Sequence, residues 1–429
     1  MARILFFTPY YPPEMGAPQT RISETAMRLV NRGHQVTVLT TLPSYSLGGV
    51  PPEYRNRARR RETLDGVSVV RVWSYITPHK GFLHRVLSQL SFGCLAPFLG
   101  GKAVGRPDVI IVESPPLFDA IGGRLLARFK RCPYVMTVAD VWPEAAVQLG
   151  VLQNRLLIRL SEWLEVSSYR RAAAIWSVTK GTYQLLLKRV QPPQKVFLVP
   201  NGVDTEKFRP LPQSESRAEV GWDANSFILL HAGTVALAHG LTMLLDAAEH
   251  LRNYPDIRLV VLGEGTAKVA LVAEAQRRQL ANVVFLGAQP HDGLPVFIAA
   301  ASACLASVIR TPLFEGTVPV KAYEAMACAR PLVLAADGES RQMIAQGAGA
   351  AMYVEPGEGE ALAQAILQLR DKPELAQQLG ERGREFVRAH FDREQLVLEL
   401  EEHLLALIER QPEKRQIPLP ALRGSSDTH

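Results

Sequence analysis

Short runs rich in Val, Ile and aromatic residues recur along the chain and alternate with longer stretches of helical periodicity. In the first half these runs are Arg3–Thr8, Gln35–Thr40, Val67–Trp73, Val109–Glu113, Tyr134–Val138, Ala174–Val178 and Lys195–Val199. Their length and composition predict strands. Between them, Ile22–Asn31 is amphipathic and closes on Arg32-Gly33, a carboxyl-terminal cap signal. Such alternation predicts an α/β fold in which helices cover parallel sheets. After the turn sequence Pro200-Asn201-Gly202-Val203-Asp204 the pattern restarts. Strands are expected at Phe227–His231, Arg258–Leu262, Asn282–Leu286, Ala303–Ser307, Pro331–Ala335 and Ala351–Val354. Two doubly wound domains follow, over 1–204 and 205–388. A helix over 389–410, after a break near Ala389-His390-Phe391-Asp392, is expected to return to the first domain. The stretch 411–429, with three prolines and no periodicity, reads as a disordered tail.

One segment has an ambiguous pattern. Phe82, Leu83, Val86, Leu87, Leu90, Cys94, Leu95, Phe98 and Leu99 follow helical spacing, flanked by Lys80, Arg85, Lys102 and Arg106. The stripe either packs on its own domain or lies in a membrane interface. It is too polar to cross a bilayer, and the first nine residues are too short for a secretory signal. Four scattered cysteines without metal-ligand spacing predict reduced thiols in the cytoplasm.

Charge changes the picture more than composition does. The chain of 429 residues has a net charge of +6, but residues 1–204 hold 26 Lys and Arg against 13 Asp and Glu, and the remainder 22 against 29. Arg55, Arg57, Arg59, Arg60 and Arg61 crowd one short stretch. This field predicts an anionic partner for the first half, be it nucleic acid, a phosphorylated substrate or an acidic lipid surface. The alternative for the arginine run is a solvated loop.

Candidate chemistry lies in the loops after predicted strands, where doubly wound sheets bind ligands. Gly16 separates the first strand from the first helix, a place where backbone amides approach an anion. The dinucleotide fingerprint G-x-G-x-x-G is absent there, which argues against NAD or FAD. In the second half the candidates are His231-Ala232-Gly233-Thr234, Gly263-Glu264-Gly265, Leu286-Gly287 and the stretch Phe314–Ala327. Within the last, Lys321 and Glu324 are three apart at a helix start and share a face. The carboxylate suits a vicinal diol and the ammonium a phosphate.

Seven motifs in order extend this picture. They are Phe7-Thr8-Pro9-Tyr10-Tyr11-Pro12-Pro13-Glu14-Met15-Gly16-Ala17, Arg32-Gly33-His34-Gln35-Val36-Thr37-Val38-Leu39-Thr40, Asp140-Val141-Trp142-Pro143-Glu144, Val199-Pro200-Asn201-Gly202-Val203-Asp204, Gly263-Glu264-Gly265, Asn282-Val283-Val284-Phe285-Leu286-Gly287 and Pro319-x-Lys321-x-x-Glu324-x-Met326-Ala327. With them the chain resembles the GT-B-fold retaining glycosyltransferases of family 4, in particular the lipid-linked sugar transferases of cell-surface polysaccharide assembly. The resemblance implies two Rossmann-like domains facing a cleft. It implies a nucleotide-sugar donor, expected to be UDP-linked, a lipid-linked acceptor as in polysaccharide or lipopolysaccharide synthesis, and a hexosyl or N-acetylhexosaminyl group moved with retention. By the same resemblance Glu324 holds the donor ribose, Gly16 and Ala17 lie near the donor phosphates, and Gly263, Glu264 and Leu286 surround the base. Gly233, Thr234, His239, Gly316 and Lys321 complete the donor side; Arg21, Trp142 and Glu144 form the acceptor side; Asp140, Lys321 and Glu315 are assigned to catalysis.

Two departures stand out. Gly316 occupies the place of the first glutamate of the E-x7-E motif, with Glu315 beside it as a replacement after a one-residue shift. The Arg and Lys common after the first glycine loop of the second domain are missing, so Lys321 and His239 are the replacements for holding the diphosphate. No D-x-D sequence is present, so no metal and no other cofactor is expected. Helix amino ends, backbone amides and a lysine then stabilise the leaving group. The expected protein is a cytoplasmic enzyme on the inner face of the plasma membrane, with a nucleotide sugar, a lipid-linked acceptor and an anionic membrane surface as partners and no nucleic acid. Open alternatives are a soluble acceptor, a sugar-nucleotide 2-epimerase and a non-catalytic nucleotide-sugar-binding protein.

Overall fold

The computed structural model describes residues 1–410 apart from 15, 44–49, 56, 77–81, 145, 146 and 148–151. The expected tail over 411–429 and the side chains of Phe82, Leu83 and Arg85 lie outside the described residues.

Two sheets organise the chain. The first has eight strands: β1 (Arg3–Phe7), β2 (Gln35–Thr41), β3 (Arg59–Leu64), β4 (Val67–Val72), β5 (Val109–Ser114), β6 (Tyr134–Val138), β7 (Ala174–Ser177) and β8 (Val196–Leu198), in the order β3-β4-β2-β1-β5-β6-β7-β8. All pairs are parallel except β3 with β4. The second sheet is parallel throughout, with β9 (Phe227–Ala232), β10 (Ile257–Leu262), β11 (Val283–Leu286), β12 (Ala303–Ser307), β13 (Leu332–Ala335) and β14 (Ala351–Tyr353) in the order β11-β10-β9-β12-β13-β14. Every residue of β5 and β6 is buried, because helices cover both faces of the first sheet.

Among the described residues the longer α-helices are α1 (Ala17–Asn31), α2 (Phe82–Gly100), α3 (Asp119–Lys130), α4 (Arg155–Arg171), α5 (Lys180–Arg189), α6 (Gln213–Val220), α7 (Thr242–His250), α8 (Lys268–Arg277), α9 (Leu294–Ala300), α10 (Val320–Ala327), α11 (Gly359–Asp371), α12 (Pro373–His390) and α13 (Arg393–Glu409). The chain leaves α12 at Phe391, and Asp392 caps α13 by accepting from the amides of Glu394 and Gln395. That helix packs on the first sheet: Leu396, Val397, Leu400 and Leu404 join Ile4, Leu29 and Val199 in one buried cluster.

The arginine run is part strand, not a solvated loop. Arg59–Arg61 begin β3, an edge strand on which charge is well placed because it discourages further pairing. Arg59 donates to the Leu99 carbonyl, 3.4 Å, and Arg61 to that of Ala103, so both neutralise the carboxyl end of α2. The stripe on α2 divides. Phe92 and Ala96 are core, Leu87, Leu95 and Phe98 face outward, and Phe98 meets Phe129 of α3 edge-on at 6.0 Å. Among the described residues no helix is long and apolar enough to cross a membrane.

Candidate active site

The carboxyl ends of both sheets supply the loops of the site. In the second sheet the strand order reverses between β9 and β12, which opens a crevice there. The loop after β9 is fastened to β12: Ser307 Oγ donates to the His239 carbonyl at 2.7 Å and the Ile309 amide to that of Ala238 at 2.9 Å. Gly263 sits at φ +150°, and a Cβ there would overlap the Gly233 carbonyl oxygen, so only glycine lets the two loops touch. Lys268 ties the same region together, donating to the Gly263 carbonyl at 2.9 Å, the Leu286 carbonyl at 2.8 Å and Glu264 at 2.6 Å.

Lys321 enters the crevice from α10. Its Nζ lies 3.1 Å from His231 Nε2 and close beneath Gly233. Burial pushes the ammonium down to about 7, with Glu324 opposing. His239 is pushed down to about 3 by burial and by Lys321, and fully buried His231 is also held well below the usual imidazole range. Near neutral pH both imidazoles are therefore uncharged and Lys321 is only part-protonated, so an approaching anion draws the lysine to its charged form.

Glu324, one turn along α10, turns away from Lys321 although the two share a face. Its Oε1 is 3.1 Å from His291 Nε2. His291 Nδ1 lies 3.0 Å from Lys207 Nζ and 3.9 Å from Glu24 Oε1 of α1, and Glu24 accepts from Arg393 Nε at 3.1 Å. The chain Glu324–His291–Glu24–Arg393 thus links α10 to the first sheet's helices. His291, Glu24 and Lys207 were not expected as site residues, and no sequence motif around them marks them as such.

Gly316 explains the missing glutamate. A Cβ on it would lie 2.9 Å from the Gly181 Cα at the start of α5, so the two backbones meet with no room for a side chain. Glu315 is exposed, and its carbonyl accepts from the Glu339 amide at 2.6 Å. The carboxylate that reaches α5 is Glu339, which accepts from Lys180 N at 3.1 Å and Gly181 N at 2.7 Å. A cavity of about 520 Å³ lined by Arg310, Thr311, Phe314, Glu315, Asp337 and Arg341 opens beside it.

Across the cleft, Gly16 is the amino cap of α1 and Ala17 its first residue. Arg21, one turn on, is buried against Glu113 and donates to Asn201 Oδ1 at 3.0 Å. Asp140 follows β6 and is exposed; its carboxyl is raised by desolvation from the surrounding protein, with Arg21 opposing. Asp119, unexpected from sequence, is fully buried with both oxygens lacking a hydrogen bond among the described residues. Burial first and Glu113 second hold it well above the carboxylate range. Trp142 meets Phe118 at 6.1 Å, while Glu144 is engaged by Arg189 of α5. Among the described residues no group of three or more His, Cys, Asp or Glu could hold a metal ion.

Two doubly wound domains, with an anion-ready basic crevice facing a carboxylate-rich one, define the GT-B class of group-transfer enzyme. The description "Glycosyl transferase 4-like domain" matches residues 16–202 and "Glycosyl transferases group 1" matches 212–386, so the chain belongs to the group 1 glycosyltransferases. It is 27% identical to the putative colanic acid biosynthesis glycosyl transferase WcaI of Escherichia coli, over 85% of this chain and 91% of that one. Sucrose-phosphate synthase of Thermosynechococcus elongatus shares the fold with a TM-score of 0.74 at 19% identity, covering 96% of this chain and all of the other. Anabaena HepE, solved in complex with UDP-glucose, does so with a TM-score of 0.70 at 16% identity, covering 95% and 100%.

Proposed function

We propose that this glycosyltransferase moves a hexosyl or N-acetylhexosaminyl group from a UDP-linked donor to a lipid-linked acceptor, with retention and without metal, on the cytoplasmic face of an anionic membrane during cell-surface glycan synthesis. The observation that carries the reading is half-buried Lys321 against fully buried His231 beneath Gly233, at the switch point of the second sheet. A diphosphate entering there meets backbone amides and a lysine whose proton affinity rises as negative charge approaches. Charge on the leaving diphosphate grows as the sugar bond breaks, so a lysine charged in step with it stabilises the transition state more than the ground state. Glu324 faces the same crevice one turn away, placed for the ribose diol once His291 yields one of its oxygens. Asp140, the carboxylate open to the cleft, faces the acceptor side, where Arg21 and Glu113 fix the wall. The name of the Escherichia coli relative, a colanic acid biosynthesis enzyme, supports a polysaccharide context.

The test offers purified protein a panel of UDP-, GDP- and ADP-sugars with a polyprenyl-diphosphate-linked sugar or with free sugars as acceptor. Transfer from a UDP-sugar to the lipid-linked acceptor, with the donor's anomeric configuration kept in the product, is expected. Transfer only to free sugars, or donor conversion without any acceptor, overturns the reading.

A further inference from the structure

Helix α4 is amphipathic in the wrong direction for a helix of a protein interior. The residues it buries are Glu165, Ser167, Ser168 and Tyr169, tied by a 3.0 Å hydrogen bond from Tyr169 to Glu165. Its outward side carries Leu156, Leu160 and Trp163, which are 66%, 53% and 64% exposed. These three are spaced i, i+4, i+7 and form one stripe opposite Glu165 and Ser168. Leu157 and Val166 widen the stripe, and both are exposed. Arg155 and Arg159 run along one flank and Arg170 continues it, all exposed, with exposed Glu162 as the one carboxylate among them, so the flank keeps a positive excess. A solvated helix has no reason to place two leucines and a tryptophan outward while burying Glu165, Ser167 and Ser168.

The topology says where the stripe lies. Helix α4 joins β6 to β7, two parallel neighbours, so it runs against them and its first turns sit at the carboxyl end of β6. That end holds Asp140. The exposed stripe is therefore at the rim of the cleft, on the half of the chain with the large excess of basic residues.

We propose that the outward face of α4 is a docking surface for an anionic lipid bilayer, with Leu156, Leu160 and Trp163 seated at the headgroup boundary and Arg155 and Arg159 on lipid phosphates. This deepens the membrane part of the proposed function, moving the contact from the Arg55–Arg61 run, two of whose members hold the end of α2, to a helix that rims the acceptor side. Charge selects the occupant. A second copy would bring the same arginines face to face, whereas an anionic surface is complementary to them. A bilayer at the cleft rim also lets a lipid-anchored acceptor reach the site without leaving its membrane.

The test is co-sedimentation of the full chain with vesicles of phosphatidylcholine alone or with about one third phosphatidylglycerol. Wild type is compared with L156S/L160S/W163S and R155Q/R159Q, whose fold is checked by circular dichroism and Tm. Both variants are expected to stay folded and to bind anionic vesicles at least tenfold more weakly. Brominated lipids should quench wild-type fluorescence more than that of Trp163→Phe. Transfer to a water-soluble, short-chain acceptor should be unchanged in both variants, so failure of the enzymatic reading shows in wild type and failure of the docking surface shows only with vesicles. Unweakened binding by the triple variant, equal binding to neutral vesicles, or a wild-type dimer that the triple variant abolishes would each overturn the proposal.

Discussion

Lys321 gives a quantitative prediction about pH. Its ammonium falls from the usual 10.5 to about 7 on burial beside His231. At 1.36 kcal/mol per unit, holding the charged form in the empty crevice costs about 5 kcal/mol. A bound diphosphate relieves that penalty, so binding draws a proton whenever the free lysine is neutral. Above pH 7 the affinity for a nucleotide sugar, whose diphosphate diester does not titrate in this range, should fall by about tenfold per pH unit, and below pH 7 it should level off. Isothermal titration of UDP-glucose between pH 6 and 9, in buffers of different ionisation enthalpy, reads both the slope and the proton count. Stability has the opposite slope. Because the folded pKa lies below the unfolded one, the unfolded chain binds more protons between about pH 7 and 10.5 and wild-type stability rises across that window. Lys321→Met, of similar volume, should remove both effects, stabilising the protein most below pH 7 while weakening donor binding at every pH. Affinity that is flat from pH 6.5 to 9, with no proton uptake, would refute the reasoning.

Glu324→Gln keeps the shape of the crevice but removes the carboxylate; at roughly 1.5–3 kcal/mol for a hydrogen bond to a charged group, nucleotide affinity should drop at least tenfold with Tm unchanged within a few degrees, read by calorimetry and thermal melts. Gly181→Val puts a branched side chain where the Gly316 backbone lies, so the domains should part, with a larger radius of gyration by X-ray scattering and a fall in kcat of about tenfold or more. Activity should persist in excess EDTA, and complete loss restored by Mn2+ or Mg2+ would show that a metal, not Lys321, meets the diphosphate.

Sequence alone determined the elements whose two faces share one environment. β5 and β6 read as strands because parallel strands under two helix layers are apolar at every position, and the restart at Phe227 shows the same signature. The break near Phe391 and the glycine loops after β9 and β10 were legible for a similar reason: a cap or a positive φ constrains residue type locally. β3 was hidden because an edge strand that opens on three consecutive arginines followed by Glu62 has the composition of a solvated loop. Helix α4 was hidden because its period is visible but the sign of its faces is not; only packing shows that Glu165 goes in and Trp163 goes out. The candidate site divides along the same line. Lys321 and Glu324 were readable as a pair on one helical face, but tertiary structure aims one at His231 and the other at His291. Gly316 appeared as a missing glutamate until the opposing Gly181 showed that backbone fills the space. His291 and Glu24 are more than 260 positions apart in the chain and meet only because the two sheets face each other. Local patterning encodes what each segment buries, and it carries no record of which distant backbone or charge will stand opposite.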